Sequence, residues 1–191
     1  MEKNRREEIL AAFIVVGRSK GLDNTTMKDI ANEVGISAGT IYLYFKSKED
    51  LVEAFCEKFF QNVEDYFADV MQRPGGAEQL LYNLIVGNVR FISKFSRENK
   101  SLSDFFHNDV VKYTKKENMV AHRQKFEAQR IKALEVALDK GVREGTFFLE
   151  DIKVAARMIF FAFTYFFSPP GLSRPHDELV ADAERMFAFT L

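Results

Sequence analysis

Three features that mark whole classes of protein are scarce in this sequence: cysteine, net charge and long apolar runs. Cys56 is the only cysteine in 191 residues, which excludes an internal disulfide and is typical of a reducing compartment. The formal net charge is -1, so there is no overall basic excess of the kind common in nucleic-acid-binding proteins. The most apolar run, residues 158–167, is shorter than the ~20 residues of a membrane span. Because the first residues are also charged rather than apolar, we expect a cytoplasmic protein that does not enter a membrane.

Strict alternation of apolar and polar residues is nearly absent, whereas apolar residues recur three and four positions apart through most of the chain. This pattern predicts an all-α protein. The predicted helices are residues 4–20, a short helix ending at Gly35, a second ending near 46, and then 47–73, 77–97, 101–113, 116–143, 151–167 and 176–189. We predict a three-helix head in residues 1–48 and a larger helical body in residues 49–191.

The short segment ISAGTIYLYF, residues 36–45, has an unusual face. On a helical wheel its buried side consists of Ala38, Ile41 and Phe45. Its outward side consists of Gly39, Thr40 and Leu43, flanked by Tyr42 and Tyr44. The preceding helix and the turn at Gly35 complete a helix-turn-helix layout, whose outward side could enter a DNA major groove. A generic helical hairpin with half-buried tyrosines fits the same residues, so both interpretations stay open at this point.

The stretch TTMKDIANEVGISAGTIYLYFKSKEDL, residues 25–51, resembles the DNA-binding region of TetR family transcriptional regulators. The Thr-Thr entry, the Ile-Ala pair, the Gly-hydrophobic-Ser turn, the Gly-Thr-hydrophobic-Tyr helix and the Ser-Lys-Glu-x-Leu entry follow in the family's order and spacing. The resemblance implies that the residues facing DNA are Lys28, Ala38, Gly39, Thr40, Tyr42, Leu43 and Tyr44. It implies that the phosphate contacts are Thr26, Ser37 and Lys48.

The body is rich in phenylalanine, because only Phe13 and Phe45 of the 20 phenylalanines precede residue 50. With the resemblance, this excess favours a pocket for a small hydrophobic or aromatic effector. The predicted lining is Phe59, Phe67, Tyr82, Phe91, Phe105, His107, Phe126 and Tyr165. Ordinary core packing is the alternative for each of these residues taken singly.

The segment KVAARMIFFAFTYFF, residues 153–167, is apolar almost all the way round and therefore needs two neighbours. Together with the last helix it looks like the contribution that family members make to a four-helix dimer interface. The predicted interface residues are Phe160, Phe163, Phe167, Leu179, Ala183, Met186 and Phe187.

No glycine-rich phosphate loop, nucleophile elbow or His-Glu-x-x-His motif is present. The spacing of His107, Asp109 and His122 matches no helical pair of metal ligands. We therefore predict no enzyme, no metal and no cofactor. The resemblance predicts a homodimeric repressor that a small hydrophobic or aromatic ligand releases from a pseudo-palindromic DNA operator. The first alternative is a helical ligand-binding dimer without DNA-binding activity. The second is an enzyme that uses His107 or His122 as a base.

Overall fold

Helices provide all the regular secondary structure in residues 2–98 and 116–190, which the computed structural model describes. The helices are α1 (Glu2–Lys20), α2 (Met27–Val34), α3 (Ala38–Tyr44), α4 (Lys48–Gln72), α5 (Ala77–Tyr82), α6 (Asn88–Glu98), α7 (Lys116–Glu144), α8 (Ile152–Phe163), α9 (Pro169–Leu172) and α10 (His176–Thr190). A π-helical turn, Asn83–Gly87, joins α5 to α6, and a 3-10 turn, Thr164–Phe167, follows α8. The all-α prediction is confirmed. The predicted helix over residues 101–113 lies outside the described residues.

The predicted break between the last two helices contains a further short helix. The sequence Pro169-Pro170-Gly171 was expected to separate two helices, yet α9 forms there as a single turn. The backbone N–H of Leu172 donates to the carbonyl of Ser168 at 2.9 Å. A proline in the first turn of a helix is tolerated because its missing N–H would have no intrahelical acceptor.

Packing divides the described residues into two units. Of the described residues, 2–61 with 98 and 116–120 form the first unit, which contains α1, α2, α3 and the beginning of α4. Residues 62–97 with 121–190 form the second. The division by packing within α4 thus falls after residue 61, and the predicted boundary between residues 48 and 49 stays a prediction.

The core of the first unit comes from apolar residues spaced three and four apart on its helices. The large side chains that are at most 1% exposed include Ile9, Phe13, Ile30, Ile41, Phe45 and Leu51. The rings of Phe13 and Phe55 meet edge to face at 5.8 Å. Because Ile41 and Phe45 lie in this core, α3 is held by one side and its other side is left open.

A π-helical turn shapes the second unit next to its core. The hydroxyl of Tyr66 donates to the carbonyl of Asn83 at 2.9 Å, and burial raises the pKa of Tyr66 to about 12. A Cβ atom at Gly87 would lie 2.3 Å from that hydroxyl, so the close contact between Tyr66 and the backbone of the turn depends on glycine at position 87. No helix in residues 2–98 or 116–190 has enough apolar length to span a bilayer.

Candidate functional site

The turn between α2 and α3 is fixed by Gly35. Its φ of 73° and ψ of 34° lie in the left-handed region, which favours glycine. The N–H of Gly35 donates to Asn32 at 3.2 Å, and the N–H of Ile36 donates to the carbonyl of Ala31 at 2.9 Å. These bonds satisfy the last carbonyls of α2, so α3 leaves the turn in a defined direction.

Thr26 begins α2 with a complete capping box. The N–H of Asp29 donates to the Thr26 hydroxyl at 3.2 Å, and the N–H of Thr26 donates to the Asp29 carboxylate at 2.9 Å. The ammonium of Lys20 lies 2.6 Å from the same carboxylate. The hydrogen bond from Lys20, with those from Thr26, holds the pKa of Asp29 well below its usual range. The predicted phosphate ligand Thr26 is thus exposed and held in place.

Ser37 caps the N-terminus of α3. Its hydroxyl accepts from the N–H of Thr40 at 3.0 Å and lies 2.7 Å from the Thr40 hydroxyl. Both predicted DNA contacts therefore share one hydrogen-bonded cluster at the start of the helix, where backbone N–H groups attract anions.

The outward side of α3 is open to solvent. Tyr42 is 46% exposed and Leu43 is 74% exposed, and Ala38 and Gly39 are also exposed. Tyr44 is half-buried. The helical wheel was wrong to place Ala38 on the buried side, because that residue lies in the first turn of a seven-residue helix, beyond the reach of the core. Its exposure agrees with the position that the resemblance gives it.

Two basic side chains that the sequence analysis did not assign hold the end of α3. The guanidinium of Arg6, from α1, donates to the carbonyl of Tyr44 at 2.6 Å, and its carbon lies 4.3 Å from the ring centroid of Phe45. The ammonium of Lys46 donates to the carbonyl of Tyr42 at 3.3 Å. Cations at a helix C-terminus satisfy its last carbonyls and complement its dipole.

Lys28 and Lys48, the two predicted lysine contacts, differ in their surroundings. Lys28 is exposed. Lys48 begins α4, and its ammonium donates to the carbonyl of Asp23 at 3.1 Å. Partial burial lowers the pKa of Lys48, while the charges of Asp23 and Glu49 oppose that shift. A phosphate contact by Lys48 would therefore share the ammonium with an existing hydrogen bond.

Two adjoining cavities lie in the second unit. The outer cavity has a volume of about 210 Å³ and is lined by residues of α4 and α7. The inner cavity has about 30 Å³ and is also lined by α8 and by the π-helical turn. Phe67 and Arg130 line both cavities, and Phe126 lines the outer one. The predicted pocket residues Phe67 and Phe126 therefore lie on a cavity.

Arg130 is the basic residue on the described lining of these cavities, and it is only 7% exposed. Its guanidinium carbon lies 3.6 Å from the ring centroid of Phe126, 5.1 Å from that of Phe167 and 5.3 Å from that of Phe67. Among the described residues its Nε has no hydrogen-bond partner. Burial lowers the pKa of Arg130 to about 9, which leaves it protonated at neutral pH.

Residues 9–55 match the family described as "Bacterial regulatory proteins, tetR family". This match identifies the head as that of a TetR family transcriptional regulator. The transcriptional repressor KstR2 of Mycolicibacterium smegmatis is 28% identical over 151 residues, which cover 75% of this chain and 68% of KstR2. The family match over residues 9–55 spans the helix-turn-helix, so this predicted motif is that of a known family of regulators.

Solved structures of TetR-type regulators share the whole fold of this chain. A TetR/AcrR family regulator from Thermobifida fusca superposes with a TM-score of 0.73 at 24% identity, over 96% of both chains. FadR from Bacillus subtilis, solved with stearoyl-CoA, superposes with a TM-score of 0.64 at 19% identity, also over 96% of both chains. At these identities the likeness shows the fold, a helix-turn-helix head with a helical body.

Four of the predicted pocket residues, Phe59, Tyr82, Phe91 and Tyr165, do not line these two cavities. Tyr82 lines a further, more open cavity of about 450 Å³, and the pocket assignment stays a prediction. The Phe91 ring stacks on Tyr66 at 4.9 Å, and the Tyr82 hydroxyl donates to the Glu184 carboxylate at 2.9 Å. Tyr165 is 49% exposed. Phe105 and His107 lie outside the described residues.

The structure buries most of the predicted dimer contacts within the single chain. Four of the seven residues are at most 6% exposed, namely Phe163, Leu179, Ala183 and Phe187. A side chain that is buried in its own subunit has little surface left for a partner, so these four are core residues. The other three, Phe160, Phe167 and Met186, are half-buried against the same core, and their part in a dimer stays a prediction.

The exposed apolar surface of α8 and its following turn lies on the opposite stripe. Val154 is 40% exposed, Met158 67%, Phe161 56% and Tyr165 49%. The spacing of four, three and four residues places them on one face of a helix. Large exposed apolar stripes of this kind mark interaction surfaces.

Proposed function

We propose that this chain is a homodimeric repressor that binds a pseudo-palindromic DNA operator and leaves it when a small apolar ligand enters the second unit. The single observation that carries the proposal is the asymmetry of α3. Its inner side is anchored by Ile41 and Phe45, while Tyr42 and Leu43 stand open on the other side. A helix held in this way can enter a major groove without unfolding the head.

Base recognition is assigned to the outward residues of α3. Gly39 permits close approach of the backbone, Thr40 offers a hydroxyl, and Leu43 suits a thymine methyl group. Lys28, exposed on α2, is the candidate for a guanine contact. Ala38 and Gly39 present only a small surface, so α3 can lie deep in the groove.

Phosphate contacts are assigned to groups that flank the helix. These are the hydroxyls of Thr26, Ser37, Tyr42 and Tyr44 and the ammonium of Lys48. Since α3 has the sequence AGTIYLY, it contains no Arg, Asn or Gln to read bases by paired hydrogen bonds. Much of the affinity should therefore come from phosphates and DNA shape, and it should fall steeply as salt rises.

The dimer is assigned to the exposed stripe of α8 and its following turn, Val154, Met158, Phe161 and Tyr165. One seven-residue helix reads few base pairs, and two copies in fixed register recognise a symmetric site. Exposed aromatic and methionine side chains are also enriched at the cores of subunit interfaces. Both considerations support a second copy of this chain as the partner of the stripe.

The effector is assigned to the two cavities of the second unit. Phe67 and Met71 of α4 line the outer cavity, and the same helix begins at Lys48. A ligand that displaces α4 would act on the element that follows α3. FadR of Bacillus subtilis, which forms a complex with stearoyl-CoA, supports the idea that a protein of this fold takes a ligand with an apolar chain. Release requires that the ligand bind the DNA-free conformation more tightly.

A selection of random DNA duplexes on the purified protein tests DNA binding. The selected duplex is then labelled, and its affinity is measured by fluorescence anisotropy over a range of salt concentrations. We expect Tyr42→Ala to weaken binding and to flatten the salt dependence, because it removes a phosphate contact. Phe148→Ala is the matched control, since that aromatic residue is 91% exposed and lies between α7 and α8.

Two results would decide against the repressor. Enrichment of no duplex would favour the alternative, a ligand-binding dimer without DNA-binding activity. Equal losses for Tyr42→Ala and Phe148→Ala would show that the effect of Tyr42 is not specific to α3. Enrichment of a duplex with two inverted half-sites would support the dimer and would also give the half-site spacing.

Sedimentation of full-length variants tests the dimer surface. Phe161→Glu places a charge in the exposed stripe, and we expect it to convert a dimer to a monomer that binds the operator weakly. Phe148→Glu makes the same change at an exposed phenylalanine outside the stripe, and we expect it to leave the dimer intact. A dimer that survives Phe161→Glu would contradict the assignment of this stripe.

A further inference from the structure

Arg130 gives the two cavities an electrostatic character that apolar packing does not require. The guanidinium is buried against the rings of Phe67, Phe126 and Phe167. Aromatic faces attract a cation, yet they supply no hydrogen-bond acceptor in the plane of the guanidinium. A buried charge without an ionic partner is costly, and such groups are normally paired.

The described residues do not supply that partner. The carboxylate on the described lining of these cavities is that of Glu64, whose Oε1 lies 3.2 Å from the ammonium of Lys125. Arg130 forms no ion pair with any described carboxylate within 4.0 Å. Its Nε also lacks an acceptor among these residues. The guanidinium thus lies on the cavity wall with an Nε–H donor that the described residues leave unpaired.

We propose that the effector is a small organic carboxylate whose anionic head pairs with Arg130 and whose apolar remainder occupies the phenylalanine-lined cavities. This inference rests on the proposed function, because it names the chemical class of the ligand that the second unit takes. It changes the sequence prediction from a hydrophobic or aromatic effector to an anionic amphiphile.

A carboxylate fits this site better than other anions. Its two oxygens match the fork of a guanidinium, and its single charge balances the one buried cation. A phosphate monoester would bring additional charge into a wall that is otherwise formed mainly by phenylalanine and aliphatic side chains. A neutral alcohol would leave the guanidinium charge unbalanced. The carboxylate is therefore the anion that this wall can neutralise.

The volume of the cavities limits the size of the ligand. The outer cavity of about 210 Å³ is smaller than the roughly 300–1,000 Å³ of pockets for drug-sized ligands. The ligand class is therefore that of medium-chain or phenyl-substituted carboxylic acids. Asn88 is only 2% exposed on the inner cavity, and its Oδ1 has no hydrogen-bond partner among the described residues. This amide can bind a second polar atom of the ligand, directly or through a water.

Isothermal titration calorimetry with the full chain tests the proposal. The probes are hexanoate, octanoate, decanoate and phenylbutyrate, each paired with the alcohol of the same carbon skeleton. The variants are Arg130→Met and Arg130→Lys. The control is Arg143→Met, which makes the same change at an exposed position of the same helix. Urea unfolding of each variant reports whether it is folded.

We expect at least one carboxylate to bind the wild type about 10- to 100-fold more tightly than its alcohol. A charged hydrogen-bonded pair contributes a free energy that corresponds to this ratio of affinities. Arg130→Met should abolish this preference and remain folded, and Arg143→Met should keep it. If Arg130→Met does not fold, Arg130→Lys decides, and it should bind the carboxylates more weakly because the fork is lost. No preference for any carboxylate, or a preference that survives Arg130→Met, would overturn the proposal.

Operator affinity measured in the same samples separates this inference from the proposed function. A carboxylate that binds through Arg130 without weakening operator binding would support the carboxylate site and contradict its role as the effector site. An alcohol that releases the operator while its carboxylate does not would support the repressor mechanism and overturn the carboxylate proposal. Release by the carboxylate alone supports both.

Discussion

Gly35 offers a direct test of whether the turn before α3 sets DNA affinity. Its φ is 73°, and a Cβ atom at this position would have no atom within 4 Å. Gly35→Ala therefore introduces backbone strain without a steric clash. A left-handed alanine costs about 1–2 kcal/mol, and the reduced freedom of the unfolded chain offsets about 0.4–1 kcal/mol of this. We expect a loss of about 1 kcal/mol in the free energy of unfolding.

The chain contains a matched control for this change. Gly145, which follows α7, has the same φ of 73° and the same empty surroundings. Its hydrogen bonds repeat the pattern at Gly35, since the N–H groups of Gly145 and Thr146 donate to Val142 and Gly141. Urea unfolding should therefore show similar losses for Gly35→Ala and Gly145→Ala.

Operator binding should separate the two variants. In the free Gly35→Ala protein we expect the turn to leave its strained left-handed conformation. DNA binding requires that conformation, so the free energy needed to restore it is lost from the binding affinity. At about 1 kcal/mol per head, a dimer loses up to about 2 kcal/mol, or roughly 30-fold in Kd by anisotropy. Gly35→Asn should lose less, because asparagine tolerates the left-handed region. Equal affinity losses for Gly35→Ala and Gly145→Ala would refute the reasoning.

Three further changes in the head have distinct expected outcomes. Leu43→Ala should weaken operator binding without altering the salt dependence or the unfolding curve, because the side chain is 74% exposed and contacts no phosphate. Thr26→Ala should lower the free energy of unfolding in urea by about 0.5–2 kcal/mol through loss of the cap, and Thr26→Ser should not. Asp29→Asn should destabilise the protein at neutral pH. Because the pKa of Asp29 is lower in the native state than its usual value, its contribution is present above about pH 4 and disappears as the pH falls through the native pKa, so the two unfolding curves should converge in acid.

Local features of the head were predictable from sequence because they depend on neighbours in the chain. The caps at Thr26 and Ser37 join residues three positions apart, and the left-handed turn needs a glycine at position 35. The contact from Arg6 to the carbonyl of Tyr44 joins residues 38 positions apart. No local pattern predicts it, because it depends on how α1 packs beside α3.

The surface that we propose for the dimer was harder to predict from sequence because α8 is apolar on opposite sides. The stripe through Phe160, Phe163 and Phe167 and the stripe through Val154, Met158 and Phe161 are similarly hydrophobic. Hydrophobicity therefore predicts that two faces are covered and does not say which face belongs to the chain's own core. The structure resolves this, because the first stripe packs against the core of the second unit.

Arg130 connects the stability of the chain with its proposed regulation. Among the described residues the buried guanidinium has no ionic partner, and an unpaired buried charge destabilises the ligand-free state by an amount on the order of a few kcal/mol. Methionine would fill much of the same space without that penalty, so Arg130→Met should equal or exceed the wild type in stability. A ligand carboxylate would remove the same penalty and would therefore bind with a favourable contribution from relief of an unpaired charge. The group that weakens the empty protein is thus the one that would make ligand binding selective for an anion.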